Sequence, residues 1–127
     1  MPEIHFEFLD QERYILRVDY PKNYSWDDYH QNIDAIAEIM KDDESLLYVI
    51  NVYELGARMP QSIVSPHWKR TQRTLNIGYV VYVTKDAVLM SLLRNFLRTI
   101  AYKEHQNYDF APTIEDAMLI LGEKMEA

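Results

Sequence analysis

The sequence predicts an α/β fold: a mostly parallel sheet entered through an N-terminal antiparallel hairpin, with the element order β-β-α-β-α-β-α-β-α. Three patterns predict it. Two opening segments alternate apolar and polar residues with a period of two, as strands with one buried face do. Two later runs, 46–53 and 77–83, are apolar almost throughout, as in strands covered on both faces of a parallel sheet. The remaining stretches repeat apolar residues at helical spacing behind residues suited to capping.

Along 3–8, Ile4, Phe6 and Phe8 share one face and Glu3, His5 and Glu7 the other. In the second strand Tyr14, Leu16 and Val18 alternate with Arg13, Arg17 and Asp19, and the link Asp10-Gln11-Glu12 is short enough for a hairpin. Pro21 stops the extension. Ser25 then stands as N-cap of a helix over 26–41, with Asp27 and Asp28 in the first turn, where negative charge suits the helix dipole. Trp26, Tyr29, Ile33, Ile36, Ala37 and Met40 form its apolar stripe, and Asp34, Glu38 and Lys41 turn to water.

The run 46–53 reads as the central strand, and its distance from 77–83 is that of a βαβ crossover. The helix between them has an open start: Ser65-Pro66 suits a cap and a first-turn proline, while 59–64 suits an earlier turn or a loop. Trp68, Thr71 and Leu75 are its expected anchors, with Ile63 and Val64 nearby. A third helix starts near Asp86 with Leu89, Leu93, Phe96, Leu97 and Ile100 on one face. Val88, Met90 and Leu92 widen that stripe, so the helix is either deeply buried or meets a partner. Tyr108-Asp109-Phe110 makes a short edge strand. Thr113 caps a last helix that turns Ile114, Ala117, Met118 and Leu121 inward and closes at Gly122.

Composition excludes several classes of function. At 127 residues the chain is one domain, 1–127, long enough to bury a core without staples. With no cysteine there is no thiol catalysis, disulfide or thiolate metal site. Gly56, Gly78 and Gly122 lie too far apart to build a glycine-rich phosphate loop, and no cofactor is expected. The formal charge of −7 opposes non-specific nucleic-acid binding. No run approaches the length of a membrane span, and the N-terminus lacks the pattern of a secretory signal, so a cytoplasmic protein without a membrane partner is expected. Charge is uneven. Residues 1–64 carry 13 acidic and 5 basic side chains, whereas 65–103 set Asp86 against Lys69, Arg70, Arg73, Lys85, Arg94, Arg98 and Lys103, a balance of +6.

The element order, together with Tyr79-Val80-Val81-Tyr82-Val83, the helix at 87–101, Phe110 and Thr113-Ile114-Glu115-Asp116-Ala117, resembles divergent members of the STAS (SpoIIAA-like) family of anti-sigma-factor antagonists over almost the whole chain. That resemblance implies a single SpoIIAA-like domain acting as a regulatory or interaction module, commonly dimeric or docked to a partner, and not an enzyme. One departure stands out. Members that act as phosphorylation switches carry an Asp-Ser-Ser-Gly-like motif after the third strand, and here 53–65, from Tyr53 to Ser65, has none. Ser62 and Ser65 are the serines near that position. A phosphate on either would place about −1.5 to −2 charges beside Arg58, Lys69 and Arg70. The alternative is that Ser65 caps the helix and Ser62 is an exposed loop residue.

No catalytic or metal-ligating set is expected. The histidines His5, His30, His67 and His105 include no H-x-x-x-H pair, and consecutive helix residues such as Asp27-Asp28-Tyr29-His30 point different ways. Ser65-Pro66-His67 brings a hydroxyl near an imidazole in sequence only. The basic segment is expected to solvate outer helix faces and offset the acidic first half. Tyr48, Tyr53, Tyr79 and Tyr82 belong to strands, some as core and some at sheet ends where a hydroxyl stays wet. Tyr53, Arg58, Met59, Ser62, Ser65 and Trp68 form the expected partner surface, for another protein or a second copy in a homodimer. The alternative is a site for an apolar or anionic small molecule at the carboxyl ends of the strands, where open α/β sheets bind ligands.

Overall fold

The computed structural model describes residues 3–10, 14–41, 43–58, 64–104 and 107–126, with backbone alone at 64, 65, 68, 72, 99–104 and 126. The elements follow as β1 (His5–Asp10), β2 (Ile15–Tyr20), α1 (Trp26–Ile39), β3 (Leu47–Tyr53), α2 (Val64–Thr74), β4 (Ile77–Val83), α3 (Ala87–Glu104), β5 (Tyr108–Ala111) and α4 (Ile114–Glu126). They form one sheet in the order β1-β2-β3-β4-β5. β1 runs antiparallel to β2, and every later neighbour is parallel. The predicted order, hairpin and central strand are all found, so the molecule is an α/β protein with a mostly parallel sheet.

Each face of the sheet has its own core. On one side Leu16, Val18 and Tyr20 of β2, Val49 and Tyr53 of β3, and Val80 and Tyr82 of β4 meet Ile33 and Ile36 of α1 and Leu89, Leu93 and Leu97 of α3. On the other, Ile15, Ile50, Val81, Val83 and Ala111 meet Ala117 and Leu121 of α4. β3 and β4 are thus covered twice, which is why their sequences are apolar almost throughout. β1, at the edge, keeps the half-buried alternation of its sequence.

Differences from the sequence reading have local causes. Tyr14 precedes β2 at φ 55° yet still packs against the core of Leu16 and Val18, and the inward row runs on to Tyr20. α2 is already helical at Val64, so Ser65 lies inside its first turn and is not its cap. Ile63 lies outside the described residues. In α3, Leu89, Leu93 and Leu97 are buried and Met90 is half-buried, but Val88 and Leu92 of the widened stripe face outward, 71% and 59% exposed. Met118 is also on the outer side of α4. That helix does not close at Gly122, because the following Glu-Lys-Met-Glu continues it and Met125 packs on the second core.

Candidate functional site

The carboxyl ends of β2, β3 and β4 are tied together by the loop that leaves β3. The backbone N–H of Ala57 donates to Glu54 O and buries Ala57 in the core, while Arg58 N–H donates to Lys22 O beyond β2. Between them Gly56 takes φ 84°, the left-handed region open to glycine and costly for other residues. This turn lets Gly56 N–H donate at 3.0 Å to Asp86 Oδ2, while Asp86 Oδ1 accepts from Val88 N and Leu89 N at the start of α3. One carboxylate therefore caps a helix and fixes a loop. Those N–H donors, Leu89 first and then Gly56, hold the Asp86 carboxyl below its ordinary pKa.

Beside this junction lies a groove of about 370 Å3 at the ends of β3, β4 and β5. Val52, Leu55, Val83 and Ile114 make it mainly apolar, and Lys85 and Glu115 bring opposite charges to its wall. Thr113 forms the expected cap of α4: its Oγ1 donates to Asp116 Oδ2 at 2.9 Å and accepts from Asp116 N at 3.1 Å. Leu55 is 69% exposed and lines the groove, while Val88 and Leu92 are exposed one turn apart on α3, whose start the Gly56–Asp86 contact ties to the Leu55 loop. Large exposed aliphatic side chains grouped in this way mark interaction surfaces more often than single ones do.

The residues singled out from sequence are distributed unevenly. Tyr53 is buried and stacks on Tyr20, with centroids 4.8 Å apart and planes 10° from parallel, because the β2–β3 register sets Tyr20 beside Tyr53. It belongs to the core and also reaches the groove wall. Arg58 is exposed. Met59 and Ser62 lie outside the described residues, as do the side chains of Ser65 and Trp68. Among the described residues, Tyr53 is the member of that set on the groove; Leu55, Lys85 and Glu115 were not anticipated. Leu55 and Lys85 carry a positional signal in the sequence, each two residues past a strand, and Glu115 stands in the first turn of α4.

Under α1 and α3 the core turns polar. Tyr20, Tyr29, Asn51 and Tyr82 line two cavities of about 50 and 40 Å3, each roomy enough for water. Burial raises the pKa of Tyr20 and Tyr53 well above the ordinary tyrosine value. The interface of α1 and α2 adds a feature invisible in sequence. His30 Nε2 and His67 Nδ1, 37 residues apart in the chain, lie 2.7 Å from one another, and Trp26 stacks on His67 with centroids 4.1 Å apart. Tyr29 Oη and Thr71 Oγ1 meet at 2.7 Å, and Arg70 pairs with Asp34 at 3.3 Å. That ion pair joins the basic segment to the acidic first half, as expected, and Arg94 rests over the Phe110 ring.

Among the described residues no three histidine, aspartate or glutamate side chains gather as a metal site. No helix among them is long and apolar enough to cross a membrane. The class defined by these features is a three-layer α/β domain with a mainly apolar groove at the carboxyl ends of its parallel strands. Comparison with protein-family models, curated proteins and solved structures finds no match to the chain.

Proposed function

We propose that the chain is a non-enzymatic regulatory and interaction module of the STAS type, working in the cytoplasm, and that its rim of Leu55, Val88 and Leu92 docks onto another protein, in the first instance a second copy. The observation that carries this reading is the exposure of Leu55 and Val88, 69% and 71%, on the two segments that Asp86 joins, and of Leu92, 59%, one turn further along α3. In a two-fold contact the same patch serves both partners, so it needs a projection and a recess side by side. Leu55 and the adjoining groove supply them, and Lys85 of one copy can face Glu115 of the other.

Light scattering coupled to size exclusion tests this: the wild type should run at twice the chain mass and Leu55→Asp at the single mass. A wild type that stays at the single mass at high concentration and cross-links to no other protein would sink the proposal. The groove itself favours a second reading, because about 370 Å3 falls within the range of small-molecule pockets. Native mass spectrometry of the same peak decides it. An added small mass, lost on introducing Leu55→Asp into a monomeric protein, replaces docking with ligand binding.

A further inference from the structure

α2 is a polar helix held by polar contacts. Three of them join it to α1: His67 to His30, Thr71 to Tyr29 and Arg70 to Asp34. Its buried apolar contribution among the described residues comes from Leu75, one residue past its end, beside the buried hydroxyl of Thr71. The middle contact, between two imidazoles, differs from the others in what it requires. At 2.7 Å one ring nitrogen must carry a hydrogen and the other a lone pair.

The surroundings choose the tautomer. His30 is 9% exposed, and its Nδ1 is buried with no hydrogen-bond partner. A hydrogen on Nδ1 would be a buried orphan donor, so the neutral ring carries it on Nε2 and donates to His67 Nδ1. A proton added to His67 Nδ1 then brings two N–H groups face to face, and one added to His30 occupies Nδ1, where nothing accepts it.

We propose that the His30–His67 pair is a proton-sensitive latch: it fastens α2 to α1 while the two facing nitrogens share one hydrogen, and it releases α2 once an added proton ends that sharing. The charged groups around it set the balance. Arg70 on α2 and the neighbouring His67 disfavour charge on His30, and Asp34 and Asp27 on α1 favour it. Burial, Arg70 and His67 win, and the His30 pKa is lowered from its ordinary value. The latch therefore holds at neutral pH and opens on acidification. Release frees the helix that follows the loop at Glu54–Arg58 in the same crossover.

The test is amide hydrogen exchange of the full chain between about pH 7.5 and about pH 5, corrected for intrinsic rates. Protection of α2 relative to β3 and β4 should fall by roughly tenfold or more, the size of one pKa unit of coupling. The double variant His30→Gln/His67→Asn leaves no titrating ring at this contact, and its α2 protection should stay level over the same range. Should that variant fail to fold, His30→Gln alone, which removes the buried ring, should lose less α2 protection than the wild type. The latch is wrong if α2 loosens equally in the non-titrating variant, or if imidazole nitrogen resonances of the wild type report both rings doubly protonated while α2 stays protected.

Discussion

At the residue scale, the structure places its most demanding backbone where the proposed surface begins. Gly56 holds φ 84°, and an added Cβ there would meet Lys22 only at 3.9 Å, so conformation and not space requires the glycine. Gly56→Ala should cost about 1–2 kcal/mol, the penalty of a left-handed L-residue, read from urea unfolding. A loss near zero would mean that the loop adopts another path. The same turn carries the N–H that Asp86 accepts, so the variant should also weaken the start of α3, visible as faster exchange at Val88 and Leu89. A neighbouring case is Tyr29→Phe. Removing the hydroxyl 2.7 Å from Thr71 Oγ1 should cost about 1 kcal/mol, since Thr71 retains its bond to His67 O.

At the scale of elements, the four helices are secured in different ways. α3 is held by Leu89, Leu93 and Leu97, with exposures of 2%, 3% and 0%, on a strict one-face spacing. Leu97→Ala should therefore remove about 2–5 kcal/mol, the range for a leucine lost from a closed core. α4 offers the opposite change. Gly122 sits in its interior, and a Cβ there would meet nothing within 4 Å, so Gly122→Ala should add about 0.5–1 kcal/mol through helix propensity alone. A rise in melting temperature checks it, and a fall would show that the surface of α4 at that position is not open. Element identities were legible because period-two and 3.6-residue patterns are local. The end of α4 was not, since a glycine marks a helix end only when the chain turns there, and Met125 instead draws the helix on into the second core.

For the whole molecule, stability should be bounded by titration on both sides. The pKa values of Tyr20 and Tyr53 are raised in the fold, above all by burial. The unfolded chain then loses those protons first, so the stability they contribute is complete below about pH 10 and drains away as pH rises through the folded values. Their tyrosinate absorbance should appear only together with loss of circular dichroism; ionisation ahead of unfolding would show solvent reaching that cluster. On the acid side the sign reverses. The His30 pKa is lowered in the fold, so its share of stability is full above about pH 6.5 and is lost as pH falls toward the folded value. By itself the sequence determined the order of elements, the two doubly covered strands and most of the buried stripes, because each depends on neighbours within a few residues. Only the tertiary structure decided that Leu55, Lys85 and Glu115 line one groove, and that two histidines 37 positions apart meet at 2.7 Å. Those pairings arise from how helices settle across a sheet, a distance in space that no spacing along the chain encodes.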